Sequence, residues 1–162
     1  MVIYSWNIRG LNNPLKQYKV VSLMKKHKMD MCGLLETKLT SSRVACMHRL
    51  RLRYWQYLTN ADATSTARIV VFWNLATVKV NLIASFEQAL NFFVSSLISQ
   101  FSFMITFVYG FNTISARRSL WGDLRRWNSS YPWMVLGDFN SVLSSADKHN
   151  GKAVSSYEIS DF

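Results

Sequence analysis

The chain has 162 residues, a length typical of one domain, and a formal net charge of +10 from 19 Lys and Arg against 9 Asp and Glu. Apolar residues make up 49% and charged residues 17%, with 10 Phe, 7 Tyr and 6 Trp, which excludes a disordered chain, a collagen and a coiled coil. No apolar run reaches the roughly 18 residues of a membrane span and the N-terminus lacks a signal-peptide pattern, so we expect an intracellular protein, nuclear or cytoplasmic, without a membrane partner.

The cysteines and the excess positive charge narrow the function classes further. Cys32 and Cys46 lack the spacing of a disulfide framework or a zinc site, which favours a reducing compartment. The positive charge favours a polyanionic partner such as nucleic acid, because Lys and Arg attract phosphates without sequence preference. On charge alone, a basic surface without a specific ligand is the alternative.

An opening strand and a helix are the first predicted elements. Residues 2–6 are rich in β-formers and predict the strand. Asn13 followed by Pro14 predicts the N-cap and the first position of a helix that continues to about Lys28. The buried face of this helix is predicted to consist of Val20, Val21, Leu23 and Met24.

A second strand and a second helix follow. Residues 29–35 are almost entirely apolar, as expected for a strand that is covered on both faces, and this strand is predicted to end at Glu36. The second helix is predicted from Ser41 to about Leu52. Short runs rich in Val, Ile, Phe, Tyr and Trp then predict successive sheet strands at residues 54–58, 68–73, 78–85, 92–98 and 101–109.

An amphipathic helix and one more strand complete the predicted elements. Residues 115–127 carry apolar side chains at helical spacing. The solvent-facing side of this helix is expected to carry Arg117, Arg118, Arg125 and Arg126. Residues 133–136 predict a buried strand that stops at Gly137, after which polar loop residues dominate.

The order of these elements predicts an α/β (α+β) fold. Helices alternate with strands early and strands follow one another in the middle, which favours a four-layer α/β sandwich of two packed mixed β-sheets flanked by helices. Few segments after residue 136 are left to pair with the opening sheet. We therefore expect the sheets to lack their C-terminal strands, leaving a sheet edge or an apolar surface that favours association.

Polar residues follow three of the predicted strands. Asn7 comes after the first strand, Glu36 after the second, and Asp138 with Asn140 after the last. Because strand ends can share one rim, these side chains could supply the oxygen ligands that Mg²⁺ takes together with water and phosphate oxygens. The sequence thus indicates a phosphoester site, although any one of these residues alone could instead be a turn former.

Basic residues lie near this predicted rim and on the early helices. Arg9 and Lys38 each come two residues after a predicted site residue and are predicted to contact phosphate or DNA. A larger basic set, interleaved with Tyr54, Trp55 and Tyr57, could line a DNA path, and solvated helix faces are an equal alternative. This set consists of Lys16, Lys19, Lys25, Lys26, Lys28, Arg43, Arg49, Arg51 and Arg53.

Four short segments carry a recognisable order: Ser-Trp-Asn-Ile-Arg-Gly-Leu at 5–11, Leu-Leu-Glu-Thr-Lys at 34–38, Phe-Val-Tyr-Gly at 107–110 and Leu-Gly-Asp-Phe-Asn at 136–140. In order and spacing they resemble the endonuclease/exonuclease/phosphatase family. With the Leu-Trp pair at 120–121 and Pro-Trp at 132–133, the chain resembles more narrowly the N-terminal endonuclease of plant LINE-type non-LTR retrotransposons. The resemblance covers nearly the whole chain and implies a single domain over residues 1–162.

The resemblance implies hydrolysis of phosphodiesters in DNA, with Mg²⁺, or Mn²⁺ in its place, as the cofactor. Glu36 matches the family's metal-ligand glutamate, and Asn7 matches the asparagine that shapes the metal and phosphate site. Tyr109 matches the tyrosine that contacts the scissile phosphate, Asp138 the aspartate that orients or activates the attacking water, and Asn140 the asparagine that holds the phosphate.

The resemblance also implies a segment that this sequence lacks. The family's domain ends with Ser-Asp-His, which contains a catalytic histidine, whereas the closing residues 160–162 match an earlier, non-catalytic segment. We therefore expect a domain that is incomplete at its C-terminus, with weak or absent turnover. His149 is a remote substitute as general base, because a flexible loop does not fix catalytic geometry, and His27 and His48 are expected to be solvated.

Other functions stay open at this point. The missing histidine favours a non-catalytic retroelement remnant that binds nucleic acid weakly, whereas a protein-interaction module has no positive feature in the sequence. Within the family, abasic-site DNA, phosphoinositides and sphingomyelin are alternative substrates. The positive charge favours DNA among them.

Overall fold

A computed structural model describes residues 1–61, 65–127, 130–142, 144, 147, 154–155 and 157 of the chain. Helices and strands alternate at the start and strands follow one another in the middle, as predicted. In chain order the elements are β1 (Ile3–Asn7), α1 (Pro14–Lys26), β2 (Met31–Thr40), α2 (Ser41–Arg51), β3 (Trp55–Thr59), β4 (Thr66–Asn74), β5 (Val78–Ser85), β6 (Ala89–Ser96), β7 (Ser102–Tyr109), α3 (Ile114–Arg126) and β8 (Trp133–Asp138). No helix among the described residues is long and apolar enough to cross a membrane.

These strands form two four-stranded sheets. The first sheet has the order β1-β2-β4-β3 and the second the order β5-β6-β7-β8. The pairs β1–β2 and β7–β8 are parallel, and the other pairs are antiparallel. Both sheets are therefore mixed, as predicted. In each parallel pair, the two strands carry their C-terminal ends toward the same edge of the sheet.

Three apolar clusters hold the layers together. Helices α1 and α2 pack on the outer face of the first sheet around Leu34, the two sheets meet around Phe92, and α3 packs on the second sheet around Leu120. At Gly33 the backbone comes so near the facing sheet that a Cβ atom would lie 2.1 Å from the Phe107 ring. The predicted four-layer α/β sandwich is confirmed.

Local sequence signals set the starts of α1 and α2. The side chain of Asn13 accepts hydrogen bonds from the backbone N–H groups two and three residues later, at 2.8 and 3.4 Å, and Thr40 caps α2. Both starts agree with the predictions. Helix α1 ends at Lys26 because Lys28 already has left-handed backbone (φ 47°), and Leu23 on the predicted buried face is only half-buried.

The middle strands were predicted to within a few residues. Strand β5 has both predicted ends. Strand β6 begins at Ala89 and ends at Ser96, earlier than the predicted run 92–98. The strand stops because the Ser96 hydroxyl accepts hydrogen bonds from the N–H groups of Ile98 (3.3 Å) and Ser99 (3.1 Å), which turns the chain.

Strand β2 is longer than predicted. The prediction ended it at Glu36, but the strand continues to Thr40, and its register with β4 shifts between Leu35 and Leu39. Within this bulge, the Thr37 hydroxyl donates a hydrogen bond to a backbone carbonyl of β4 at 2.8 Å. The bulge thus ends the continuous buried run without ending the strand.

Strand β8 is more exposed than predicted. Trp133 and Met134 are 37% and 43% exposed because β8 is the last strand of its sheet and pairs on one side with β7. Strand β1 is likewise at the edge of the first sheet, with Tyr4 and Trp6 exposed. Residues 158–162 lie outside the described part, and the absence of C-terminal strands stays a prediction.

Candidate active site

The ends of β1 and β8 meet where the two sheets come together. Tyr109 pairs with Asp138 in the register of the second sheet, and Asn7 closes β1 in the first. The Asn7 Nδ2 atom donates a hydrogen bond to Asp138 Oδ2 at 2.7 Å. This contact joins residues that lie 131 positions apart and brings one polar group from each sheet into a single site.

Glu36 lies beside this contact, in the bulge of β2, with left-handed backbone (φ 54°). Its carboxylate accepts a hydrogen bond from the Tyr109 phenol and pairs with Lys38 Nζ at 3.0 Å. Burial, followed by the negative charges of Glu36 and Asp138 and the hydrogen bond to Glu36, raises the pKa of Tyr109. The phenol is therefore a neutral hydrogen-bond donor at ordinary pH.

Asn140 connects the loops that follow β7 and β8. Its backbone N–H donates to Asp138 Oδ1 at 3.0 Å, and its side-chain Nδ2 donates to the Gly110 carbonyl at 2.6 Å. The residue has left-handed backbone (φ 49°), which asparagine tolerates better than most residues. Both oxygens of Asp138 thus accept hydrogen bonds, one from Asn140 and one from Asn7.

Arg117 takes part in this arrangement although the sequence placed it in solvent. It is only 2% exposed, and its Nη1 atom donates to the carbonyls of Phe111 (2.9 Å) and Asn140 (2.5 Å). The prediction was wrong because Arg117 lies three and seven residues before Leu120 and Leu124, on the apolar face of α3. This spacing was the signal that could have found it.

Arg9 and Lys38 lie at the same rim, on the side of the first sheet. Both are exposed, and both have left-handed backbone (φ 48° and 55°). The Arg9 backbone N–H donates to Asn7 Oδ1 at 3.1 Å, so the turn after β1 also orients Asn7. With Glu36 and Asn140, these residues concentrate strained backbone at the rim, as functional sites often do. Their contact with phosphate stays a prediction.

A cavity of about 360 Å³ opens beside the Asn7–Asp138 contact. Its lining includes Ser5 and Ser141, whose hydroxyl oxygens are buried and have no hydrogen-bond partner among the described residues. Buried hydroxyls without partners are costly unless water or a ligand satisfies them. The cavity therefore offers polar groups to a bound molecule next to the two sheet ends.

The side-chain oxygens at the rim fit a hard divalent cation. Glu36 and Asp138 provide carboxylate oxygens and Asn7 provides an amide oxygen. In the described part of the chain, no group of three or more His, Cys, Asp or Glu could hold a metal. Mg²⁺ commonly uses one or two carboxylates and keeps water or phosphate oxygens as its other ligands. Lys38, with its side chain 61% exposed, could leave Glu36 when a cation takes its place.

The histidines lie away from this rim or outside the described residues. His48 is half-buried and its Nε2 atom hydrogen-bonds the Trp55 carbonyl at 2.6 Å, so the prediction of a solvated side chain was wrong for it. His27 is exposed as predicted and lies near the ring of Tyr4. His149 and the closing segment 160–162 lie outside the described residues.

A sequence profile of the endonuclease/exonuclease/phosphatase family matches residues 4–157. The chain belongs to this family. Members of the endonuclease/exonuclease/phosphatase family are hydrolases, nucleases and phosphatases among them, and they generally depend on a divalent metal. The resemblance stated from the four sequence segments is confirmed at the level of the family.

Solved structures of the family share the fold. They include the mannosyl-6-phosphatase Bt3783 of Bacteroides thetaiotaomicron (TM-score 0.63, 12% identity, 86% of this chain and 65% of that one). D. rerio TDP2 complexed with a single-strand DNA product gives a TM-score of 0.63 at 15% identity (85% and 60% covered). The endonuclease domain of TRAS1, a telomere-specific non-LTR retrotransposon, gives 0.63 at 10% identity (85% and 59% covered). The chain thus spans less than two thirds of the length of each of these three structures.

Proposed function

We propose that this chain carries the site of a Mg²⁺-dependent phosphodiesterase that nicks DNA, of the type found in retrotransposon endonucleases. The observation that carries the proposal is the convergence of Asn7, Glu36, Tyr109, Asp138 and Asn140 on one rim. In this set the carboxylates can hold a cation and orient water, and the neutral phenol and the amides can donate hydrogen bonds to a phosphate.

Asp138 is the residue best held to orient an attacking water. Hydrogen bonds from Asn7 (2.7 Å) and from the Asn140 backbone (3.0 Å) fix its carboxylate in one orientation. Each oxygen of the carboxylate retains a further lone pair for a water proton. Positioning of this kind lowers the barrier because the water no longer has to be ordered during the reaction.

Tyr109 and Asn140 are proposed to donate hydrogen bonds to the phosphate, and the Asn140 amide keeps a second hydrogen after it donates to the Gly110 carbonyl. The phenol of Tyr109 is protonated at neutral pH, as tyrosine ordinarily is, and its raised pKa widens the pH range over which it can donate to a phosphate oxygen. Glu36 and Asn7 would hold the cation, which supplies neutralisation of the charge on phosphate and leaving oxygens. Lys38 pairs with Glu36 at 3.0 Å, and we propose that it turns to the phosphate when a cation displaces it from Glu36.

The choice of DNA as substrate rests on charge and on the relatives. A net charge of +10 attracts a polyanion far more strongly than a small phosphorylated sugar. One structure with this fold, D. rerio TDP2, is complexed with a single-strand DNA product, and another is the endonuclease domain of a telomere-specific non-LTR retrotransposon. The mannosyl-6-phosphatase shows that the same fold also serves small phosphoesters, and a sugar phosphate is therefore the comparison substrate.

Turnover by this chain is proposed to be weak. The described rim supplies no histidine to act as general acid or base, and such a group commonly contributes a rate factor of about 10² to 10⁴. We propose that residues 1–162 form a single domain, which corresponds to part of the length of the solved relatives.

The test is nicking of supercoiled plasmid by the purified chain in Mg²⁺, in Mn²⁺ and in EDTA. Glu36→Gln and Asp138→Asn remove the charge of each proposed site residue with little change in shape. Asp123→Asn is the matched control, because Asp123 pairs with Arg126 on α3, outside the rim. Metal-dependent nicking that both rim variants abolish and the control retains is the expected result.

Two outcomes would overturn the proposal in different ways. Hydrolysis of mannose 6-phosphate without nicking would replace DNA by a small phosphoester. A folded chain that binds duplex DNA but shows no metal-dependent nicking would make this a non-catalytic nucleic-acid-binding remnant. Circular dichroism of every variant distinguishes the second outcome from a failure to fold.

A further inference from the structure

The positive charge of the chain is concentrated on one side of the fold. Eleven of the 19 Lys and Arg residues come before residue 54, and Asp30 and Glu36 are the acidic residues of that stretch. Helices α1 and α2, which cover the outer face of the first sheet, contain no Asp or Glu. We call the exposed basic residues on and next to these helices the basic helical face: Lys19, Lys25, Lys26, Lys28, Arg43, Arg49 and Arg53.

The basic helical face is connected to the candidate site by a chain of polar contacts. Lys38 pairs with Glu36 at 3.0 Å, and its backbone carbonyl accepts a hydrogen bond from Asn12 Nδ2 at 3.2 Å. Arg43, in the first turn of α2, donates from Nη1 to Asn12 Oδ1 at 2.7 Å. A phosphate chain that leaves the rim on this side therefore meets the start of α2.

The two helices form one face rather than two separate ones. The guanidinium of Arg51 on α2 lies 5.8 Å from the ring centroid of Tyr18 on α1. Tyr54, just after α2, is 71% exposed beneath the guanidinium of Arg53 at 4.7 Å. Arg51 and Arg53 therefore place positive charge where the two helices meet, within reach of the phosphates of a bound nucleic acid.

The ends of these helices add to the positive potential. The first turns of α1 and α2 contain no acidic residue to offset the positive end of the helix dipole. Both helices begin near the rim, since α2 follows β2 directly and Asn12, just before α1, contacts Lys38. Neither helix has an acidic residue to balance its Lys and Arg side chains. A bound polyanion would therefore reduce the repulsion among these positive charges.

We propose that the basic helical face is a second contact surface for the DNA duplex whose scissile phosphate occupies the rim. The proposal rests on the proposed function and adds where the flanking duplex lies. With 11 residues, α2 is about 16 Å long at ~1.5 Å per residue, which matches about five base-pair steps of duplex. The face engages phosphates and carries no base specificity.

A membrane surface is the competing partner for a basic face. Such binding requires a contiguous apolar side next to the basic one. Leu15 and Leu50 are exposed on α1 and α2, but the exposed positions around them are mostly polar or charged. The contacts that lead to a phosphodiester site therefore favour nucleic acid over lipid.

Fluorescence anisotropy with a labelled DNA duplex in EDTA tests the proposal without requiring catalysis. Lys19→Glu with Arg49→Glu reverses two exposed charges on the basic helical face. Arg118→Glu with Arg125→Glu is the matched control, since it reverses two exposed charges on α3 at the opposite face of the molecule. We expect the first pair to weaken binding by ~10-fold or more and to reduce the slope of log K against log[salt] by about two. The control pair should change the affinity by less than ~3-fold.

The outcomes separate this surface from the proposed reaction. Equal weakening by the two pairs would mean general charge attraction and would overturn the proposal, as would unchanged affinity in the first pair. Stronger binding to anionic phosphatidylserine vesicles than to duplex, lost in the first pair, would assign the face to a membrane. A chain that does not nick but binds through this face would refute the reaction and leave the surface standing. A cooperative thermal unfolding transition in each variant is the check that both proteins are folded.

Discussion

The two halves of strand β2 differ in a way that separates stability from function. Residues 31–35 are fully buried and pair with β1 on one side and β4 on the other. Residues 36–40 alternate between buried and exposed, interrupt the register with β4, and place Glu36 and Lys38 in left-handed backbone. The regular half joins the core, and the irregular half aims a carboxylate at the rim. The interruption of the hydrogen bonds between β2 and β4 allows the backbone and side chains of residues 36–40 to form a site.

Thiol labelling should show the largest difference between the two regions. Burial raises the pKa of Cys32, in the regular half of β2, to about 12, so only ~10⁻⁴ of the thiol is ionised at about pH 8. Cys46 on α2 is exposed and serves as the internal reference. A chromogenic disulfide reagent should label Cys46 at least ~1000-fold faster in the native protein, and both equally in denaturant. Similar native rates would show that the regular half opens readily.

Phe107→Ala should cause the largest loss of folding free energy. Its buried ring lies against Gly33 of β2 and 6.4 Å from the Phe92 ring, between the two sheets. We expect the free energy of unfolding in urea to fall by about 3–5 kcal/mol. Phe101→Ala, at a half-exposed ring outside the interface between the sheets, should cost less than ~1 kcal/mol. Comparable losses in both variants would contradict a core centred between the sheets.

Arg117→Met tests the part of the rim that the second sheet supplies. The substitution keeps the apolar stem but removes hydrogen bonds to the carbonyls of Phe111 and Asn140. We expect a loss of about 2 kcal/mol, with faster hydrogen exchange confined to the loops after β7 and β8. Arg118→Met, one residue later and exposed, should stay within about 0.5 kcal/mol of the parent. A global rise in exchange would mean that Arg117 supports the core and not the rim.

Thr37→Val should give the smallest effect and sharpens the comparison within β2 itself. The Thr37 hydroxyl donates to the Ala67 carbonyl at 2.8 Å and accepts from the Leu39 N–H at 3.4 Å, which bridges the break in the ladder. Valine keeps the branched shape and removes both bonds, so a loss of about 1 kcal/mol is expected in urea unfolding. Thr66→Val, at an exposed position of β4, is the control and should be nearly neutral. Equal losses of unfolding free energy in the two variants would show that the bulge needs no side-chain hydrogen bonds.

The sequence predicted regular structure well and irregular structure poorly. Enrichment in residues that favour strands was enough for β5, and the Asn13 cap with Pro14 was enough for the start of α1. The continuation of β2 past Glu36 was not predictable, because a register shift depends on the partner strand β4, which is distant in sequence. Arg117 was misplaced because its charge was given more weight than its position on the apolar face of α3.

The candidate site was predictable as a set of residues but not as an arrangement. The order of short motifs named Asn7, Glu36, Tyr109, Asp138 and Asn140, and the structure brings these five together. The hydrogen bond between β1 and β8 arises only from packing of one sheet on the other, which no local pattern encodes. The ion pair between Glu36 and Lys38 likewise requires the left-handed backbone of the bulge.

The hydrogen bond between Asn7 and Asp138 also dictates when the site can exist during synthesis. Its two partners are 131 residues apart, close to the two ends of the described sandwich. At ~5–20 residues per second, a ribosome needs about 7–26 s to make the chain between them. Throughout that interval β1 and β2 can pair while Asp138 has yet to be added. The ribosome therefore completes the whole first sheet and its two basic helices before the rim that could act on nucleic acid exists.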